Sequence, residues 1–445
     1  MKKAPSWGEN STLKRSFPLT SLPPDINRRN FLAAAAIAGT ATILKPAMSF
    51  ASTGAAHEIR PFKVSVPDSA LQELKQRLAS ARWPAKETVG DDSQGVQLDR
   101  FRALVNYWQD GYDWRKVEEK LNAIPMFITE IDGLDIHFIH VRSRHENALP
   151  LIMTHGWPGS ILEMLKVIDP LTNPTAHGGR AEDAFHLVVP SIPGFGFSGK
   201  PDVRGWGSDH IGRAWSTLMD RLGYQKYVSQ GGDCGSVISQ RMAHQNVPGL
   251  LGIHLTMPAI VPREIVPLLA AGAAAPEEFN EEERACFDKL AIFYRDSAAY
   301  AQMMVTRPQT IGYSLVDSPV GMAAWMYDKF AEWTFSDKQP EKVLTRDEML
   351  DDISLYWFTE TGASAAQIYW EDHTNNFNAL DKIPTLPVAV SVFPGEIYQA
   401  PRSWTERAYG NLIYFNEVDN GGHFGAWEQP AIFTNEVRAA FRSLR

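Results

Sequence analysis

An aspartate stands where the chain makes a turn suited to displaying a nucleophile. Residues 231–235 read Gly-Gly-Asp-Cys-Gly, and small residues around a central one allow a sharp turn from strand to helix. Residues 226–230 predict the strand, and residues 234–244 predict the helix. A carboxylate at such a turn attacks a saturated carbon or a strained ring and forms an ester. Asp233 is therefore a candidate nucleophile, against the alternative of an ordinary surface aspartate in a glycine-rich turn.

Two residues downstream of Asp233 complete a candidate triad. Glu396 closes a Phe-Pro-Gly-Glu run at the end of a predicted strand, and His423 lies in a loop after the next predicted strand. The order nucleophile, acid, histidine is that of the α/β-hydrolases. We expect His423 to deprotonate a water that attacks an ester on Asp233, while Glu396 orients the imidazole. Either residue alone could be a polar loop residue, but their shared order and strand-end placement favour the triad.

A third turn could supply backbone N–H groups to the same site. Residues 154–160 read Thr-His-Gly-Trp-Pro-Gly-Ser and follow a short apolar strand. The N–H groups of Trp157 and Cys234 are the predicted oxyanion hole for the tetrahedral intermediate of ester hydrolysis. Ser198, in another glycine-rich turn, is a rival nucleophile, but no strand-to-helix elbow surrounds it, which favours a structural loop.

Composition limits the classes of partner and site. The chain has 445 residues, of which 44% are hydrophobic, and can bury a large core in two or three structural units. The net charge of -9 argues against nucleic acid or anionic lipid as a partner. Cys234 and Cys286 make no disulfide framework. His137 and His140 lack a third ligand and are predicted to be structural, so we expect no metal and no cofactor.

The first 56 residues are predicted to be a targeting signal. Arg28 and Arg29 precede the apolar, alanine-rich residues 31–44, and this order resembles a twin-arginine export signal. The apolar stretch is shorter than the roughly 20 residues of a membrane-spanning helix. We expect cleavage within residues 49–56 and a mature periplasmic or extracellular protein without a stable membrane anchor. The alternative is an uncleaved anchor or a chance arginine pair.

The remaining chain divides into an N-terminal segment, a core in two parts and an insertion. The N-terminal segment carries helical patterns after Asp68, which is predicted to cap the first helix, and it looks like a wrapping element. Short strands then alternate with helical patterns and predict a mostly parallel α/β sheet. A helical stretch rich in Trp and Tyr interrupts this alternation and predicts a lid. The predicted regions are 57–125 for the wrapping segment, 126–256 and 376–445 for the core, and 257–375 for the cap.

Together these motifs resemble the epoxide hydrolases of the microsomal and juvenile-hormone type. The resemblance covers nearly all of the chain after the signal. It rests on residues 155–158, 232–236, 393–396 and 422–423 in the core, and on residues 60–64 and 82–84, which resemble that family's N-terminal domain.

The resemblance implies an α/β-hydrolase fold with a helical cap and two cap tyrosines that hydrogen-bond an epoxide oxygen. Local context assigns these roles to Tyr369 and Tyr300, with Tyr313 and Tyr294 as rivals for the second. The family usually carries Trp directly after its nucleophile. Cys234 stands there in this chain, which makes the pocket wall smaller.

The resulting expectation is an enzyme that converts a small-molecule epoxide and water into a vicinal diol. A haloalkane dehalogenase would need a Trp beside Asp233 to bind the halide, and Cys234 cannot bind it. An esterase or amidase would need a serine at the turn. A non-catalytic binding protein on the same fold stays possible, because fold alone does not define function. The sequence specifies no oligomeric state.

Overall fold

The computed structural model describes residues 57–372 and 385–445. The predicted export signal lies outside these residues, as do 373–384, where the predicted cap meets the second part of the core. Nine strands form one sheet in the order β1-β2-β3-β5-β4-β6-β7-β8-β9. The strands are β1 Arg60–Pro61, β2 Met126–Ile131, β3 Leu134–Val141, β4 Leu149–Thr154, β5 Phe185–Pro190, β6 Tyr227–Gly231, β7 Leu250–Leu255, β8 Val388–Val392 and β9 Leu412–Glu417.

The α-helices lie before, between and after the strands. They are α1 Asp68–Ala79, α2 Leu98–Asp110, α3 Trp114–Asn122, α4 Leu165–Thr172, α5 Ser208–Arg221, α6 Asp233–His244, α7 Val266–Ala270, α8 Glu281–Ile292, α9 Ala299–Thr306, α10 Pro308–Asp317, α11 Pro319–Trp333, α12 Arg346–Thr359, α13 Gly362–Glu371, α14 Arg402–Ala408, α15 Gly425–Glu428 and α16 Pro430–Ala440.

The sheet is antiparallel at one edge and parallel through the rest. The hairpin β2–β3 is antiparallel, and β3 pairs antiparallel with β5. From β5 through β4, β6, β7 and β8 to β9, each pairing is parallel. Every residue of β6 and β8 is buried, as expected for strands covered on both faces. The mostly parallel α/β sheet predicted from the sequence is confirmed.

One local prediction is wrong, and one strand was missed. Asp68 does not cap α1; the capping position is Pro67, and the Asp68 carboxylate lies 2.5 Å from Arg115 of α3 instead. Strand β7 was not predicted, because Gly252 interrupts its apolar pattern and a glycine weakens a strand signal.

The N-terminal segment packs against the cap through buried polar contacts. The Trp108 indole donates to Ser354 Oγ at 2.9 Å, and the Tyr112 hydroxyl donates to Asp351 at 2.8 Å. Both acceptors belong to α12. Helices α1 to α3 therefore cover the outside of the helical insertion, which runs from α7 to α13 between β7 and β8. Within residues 57–372 and 385–445, no helix is both long and apolar enough to cross a membrane.

Candidate active site

Asp233 occupies a tight turn between β6 and α6. Its φ of 48° is left-handed, a conformation that costs a non-glycine residue roughly 1–3 kcal/mol and clusters at functional sites. The chain passes so close that a Cβ on Gly156 would lie 2.3 Å from Asp233 Cβ, and one on Gly235 would lie 2.0 Å from the Thr154 carbonyl oxygen. Glycine at both positions therefore lets the Asp233 turn pack against the end of β4.

The two oxygens of the Asp233 carboxylate have different neighbours. The Trp157 N–H donates to Oδ1 at 2.9 Å, and His423 Nε2 lies 3.5 Å from Oδ2. The turn after β4 thus engages one oxygen and leaves the other beside the imidazole. The structure places Cys234 next to the carboxylate, and burial followed by the Asp233 charge raises the pKa of its thiol. The role of the Cys234 N–H as the second oxyanion donor stays a prediction.

His423 is oriented from its other ring nitrogen. Nδ1 lies 2.8 Å from Glu396 Oε1, and that oxygen also accepts the Ile397 N–H at 2.7 Å. The backbone N–H of His423 donates to the Trp333 carbonyl at the end of α11, so the cap holds the backbone of His423 while Glu396 of the core orients its ring. The structure therefore brings Asp233, His423 and Glu396 into one buried cluster.

Charge coupling sets the protonation of this cluster. Burial opposes ionisation of Asp233, but the hydrogen bond and charge of His423 and the Trp157 N–H lower the pKa of Asp233 below its ordinary value. Burial likewise disfavours the imidazolium, but the charges and hydrogen bonds of Glu396 and Asp233 raise the pKa of His423 well above its ordinary value. Asp233, the predicted nucleophile, is therefore ionised, and His423 carries a proton while Asp233 is charged.

Two cap tyrosines lie in the aromatic layer above the nucleophile. The Tyr300 ring stacks on Trp157 with centroids 5.2 Å apart, and the Tyr369 ring meets Trp157 edge-on at 6.2 Å. Burial and then the Asp233 charge raise the pKa of both phenols well above its ordinary value, so both keep their protons. Among the described residues, the buried Tyr369 hydroxyl finds no hydrogen-bond partner, as a donor awaiting a ligand would.

The two rivals of Tyr300 lie in different surroundings. Tyr313 is 69% exposed, whereas Tyr294 lines the same cavity as Tyr300 and its hydroxyl accepts a hydrogen bond from Tyr398 at 3.0 Å. Tyr300 and Tyr369 have ring centroids 6.2 Å apart and line the same cavity. The pairing of these two tyrosines in catalysis remains a prediction.

A cavity of about 240 Å³ opens beside this aromatic layer. Its wall includes Cys234 and Val237 from α6, Leu269 from the cap, and Ile368 next to Tyr369. Aliphatic and aromatic side chains form most of this wall, and the phenols, Gln302 and Asp372 supply the polar groups. Such a cavity suits an apolar molecule with one hydrogen-bond acceptor.

Residues weighed as alternatives have structural contacts. Ser198 Oγ donates to the Ser191 carbonyl at 2.7 Å and accepts the His137 N–H at 3.0 Å, away from any nucleophile turn. Burial lowers the pKa of His137 to about 3, and His140 Nε2 lies 2.9 Å from the Tyr224 hydroxyl. The described parts of the chain contain no group of three His, Cys, Asp or Glu residues that could hold a metal ion.

Two buried polar residues near Asp233 were not among the site residues predicted from the sequence. Glu163 follows the Trp157 turn, and Gln230 lies in β6 three residues before Asp233; both line a small second cavity that also touches Asp233 and His423. No motif or periodicity marks either residue, because only the packing of β6 against the turn after β4 brings them together.

Family models and relatives match the chain over nearly all of the described residues. The model "Epoxide hydrolase N terminus" matches residues 59–164, which include the N-terminal helices, the hairpin and β4, and the model "alpha/beta hydrolase fold" matches residues 150–430. A Stigmatella aurantiaca protein whose name includes the words epoxide hydrolase is 52% identical over 87% of this chain and 86% of its own. Epoxide hydrolase 1 of Sus scrofa is 36% identical over 85% of this chain and 88% of its own.

The fold also matches a solved structure. The crystal structure of juvenile hormone epoxide hydrolase from the silkworm Bombyx mori superimposes with a TM-score of 0.78 at 28% identity, over 87% of this chain and 95% of that one. The α/β-hydrolase fold predicted from the motifs is confirmed. The chain belongs to the epoxide hydrolase family.

Proposed function

We propose that this protein adds water to an epoxide through a covalent ester on Asp233 and releases a vicinal diol. The observation that carries the proposal is the position of the Asp233 carboxylate, with one oxygen bonded to the Trp157 N–H and the other beside His423. An ionised carboxylate, two protonated phenols and an imidazole paired with a carboxylate are the groups that this reaction needs.

The first step opens the ring. An epoxide in the apolar cavity accepts hydrogen bonds from Tyr300 and Tyr369, and Asp233 Oδ2 attacks a ring carbon. The ring C–O bond breaks, and the oxygen takes a proton from a tyrosine. The product is a hydroxyalkyl ester of Asp233.

The second step hydrolyses the ester. Esterification removes the negative charge that helps to raise the pKa of His423, so the imidazolium releases its proton. That proton restores the tyrosine phenol, and the neutral imidazole can then accept a proton from water. His423 Nε2 deprotonates a water, whose oxygen adds to Asp233 Cγ while the Trp157 N–H stabilises the negative charge that develops on the other oxygen. The ester C–O bond then breaks, the diol leaves with a proton, and the Asp233 carboxylate re-forms.

Trapping the ester tests the proposal. His423→Gln lacks the base, so its reaction with an epoxide should stop after the first step. We expect intact and peptide mass spectrometry to find an adduct equal to a whole epoxide on Asp233, and Asp233→Asn should form none. An alkyl adduct formed from a chloroalkane without its halide would show a dehalogenase instead. A folded variant that no epoxide in a broad panel modifies would contradict the proposal.

We also propose that residues 1–56 export the folded protein through a twin-arginine route. The support is the Arg28–Arg29 pair ahead of an apolar run. Arg28→Lys combined with Arg29→Lys should leave the full-length chain in the cytoplasm, while the parent chain appears shortened outside it. Equal distribution of the two chains on fractionation would contradict export by this route.

A further inference from the structure

A small cavity lies against Asp233 and is distinct from the apolar one. About 20 Å³ of it is open to a water molecule, and its wall includes Asp233, His423, Glu163, Gln230 and Thr256. Among the described residues, the two cavities share no lining residue; they approach each other where Asp233 is followed by Cys234. A site that holds one ordered water needs roughly 10–15 Å³ and two to four polar partners, so this cavity has room for a single water.

Gln230 supplies an unexplained pair of polar atoms in this cavity. Its side chain is 0% exposed, and neither Nε2 nor Oε1 has a hydrogen-bond partner in the part of the chain that the structure describes. A buried polar group without a partner destabilises the folded state, and such groups are usually satisfied by ordered water. A water bonded to Gln230 would remove this penalty.

Glu163 faces the same space from the turn after β4. Its side chain is buried, and burial followed by the nearby Asp352 raises its pKa well above the ordinary value. Glu163 therefore carries a proton and can donate an O–H to a water. Donors and acceptors thus surround a one-water volume that is bordered by the two groups that ester hydrolysis requires, Asp233 and His423.

We propose that this cavity binds the hydrolytic water, and that Gln230 and Glu163 are positioning residues that hold it between His423 Nε2 and Asp233 Cγ. The inference rests on the proposed ester mechanism. The water's proton passes to His423, its oxygen bonds to Asp233 Cγ, and the ester C–O bond breaks. Water thus reaches the ester from a compartment that the bound alkyl group does not occupy.

The test separates the two half-reactions. Enzyme in excess is mixed with epoxide and quenched at intervals, and intact-mass spectrometry follows the ester fraction while diol is measured in parallel. We expect Gln230→Met, which keeps the volume but removes the amide, to slow ester hydrolysis by roughly 10- to 100-fold, as a misplaced reactant does. The alkylation rate should not change, so the ester should accumulate.

Paired variants and a control distinguish positioning from general damage. Glu163→Met should accumulate ester in the same way, whereas Glu163→Gln, which keeps a donor and an acceptor, should restore most of the hydrolysis rate. Gln240→Leu is the control, because Gln240 is a buried amide of α6 that bonds to Tyr409 and lines neither cavity. It should leave the ratio of the two rates unchanged.

Each outcome decides a separate point. Wild-type hydrolysis rates in Gln230→Met and Glu163→Met would overturn the water site and leave the ester mechanism intact, while absence of any Asp233 adduct in His423→Gln would overturn the mechanism itself. If the variants do not fold, a crystal structure of the wild-type protein decides the question. An ordered water bonded to Gln230 supports the inference, and a dry cavity overturns it.

Discussion

At the scale of single residues, Asp233 and His423 act as a coupled pair. The negative charge of Asp233 keeps a proton on His423, which lies 3.5 Å away. In the proposed mechanism, loss of that charge on esterification converts His423 from a cation into a base. The coupling would therefore order the two proposed steps, since water could not be activated before the ester exists.

This coupling predicts a pKa change in a variant that mimics the ester. Asp233→Asn removes the charge but keeps the shape, so the pKa of His423 should fall. Glu396 contributes more than Asp233 to the raised pKa of His423. The pKa of His423 should therefore fall less in Asp233→Asn, which keeps Glu396, than in Glu396→Gln. Titration of the His423 ring nitrogens by NMR measures both shifts. An unchanged His423 pKa in Asp233→Asn would show that the two groups are not coupled.

The phenols predict a second residue-level effect. Tyr369→Phe removes a donor that has no bonding partner among the described residues, so folding should be unaffected while ring opening slows. We expect roughly 100-fold slower alkylation, typical of losing general-acid assistance, and a comparable effect for Tyr300→Phe. Rapid-quench measurement of ester formation gives the rate. Tyr313→Phe, at an exposed position, is the matched control, and an equal loss there would refute the assignment.

At the scale of elements, the site depends on a turn that α12 braces from the cap side. Ser160 Oγ donates to Asp352 Oδ1 at 2.5 Å, and the Tyr356 hydroxyl donates to the Gly159 carbonyl at 2.8 Å. The same turn presents the Trp157 N–H to the nucleophile. The Trp157 N–H, the predicted oxyanion donor, is thus held by contacts between the core and the insertion, not by the turn alone.

Asp352 makes this brace sensitive to pH. Burial raises the pKa of Asp352 to about 8, and its second oxygen has no hydrogen-bond partner among the residues that the structure covers. The folded protein therefore keeps this proton at pH values where the unfolded chain, with a pKa near 3.8, has lost it. Stability from this group is fully present below pH 3.8 and is lost as pH rises towards 8.

Asp352→Asn should abolish that pH dependence. Asn still accepts the Ser160 hydroxyl but cannot ionise, so the variant should gain stability relative to the wild type as pH rises between about 4 and 8. The difference should grow by at most about 1.4 kcal/mol per pH unit. Urea unfolding at a series of pH values measures it. A constant difference across this range would show that Asp352 ionises normally in the folded protein.

The elements that could be predicted from the sequence are those that patterns among neighbouring residues specify. The β2–β3 hairpin, the strands around Asp233 and the glycine turn itself follow from neighbouring residues, so the sequence sufficed for them. The order of Asp233, Glu396 and His423 along the chain was enough to predict that these three residues meet in one cluster. Gln230 and Glu163 could not be predicted in this way, because their proximity comes from two strands that are distant in sequence and adjacent in the sheet.

At the scale of the whole molecule, the N-terminal segment and the cap form one supporting layer. Trp108 of α2 is 2% exposed and bonds to Ser354 of α12, and Tyr107 bonds to Asp347 at 2.6 Å. Helix α12 in turn braces the turn that carries Trp157. The segment that wraps the cap from outside is therefore connected to the active site through one helix.

This connection predicts that loosening the outer contact exposes α2 and α12 together. Ser354→Ala leaves the Trp108 indole N–H buried without an acceptor, which should reduce the free energy of unfolding by about 1–3 kcal/mol. Hydrogen–deuterium exchange should show faster exchange in α2 and α12, with β4 and β6 unchanged. Ser216→Ala, at a long and exposed hydrogen bond, should change neither helix. Faster exchange in α12 with full protection of α2 would show that the N-terminal segment is stable without the cap, and that the two do not act as one layer.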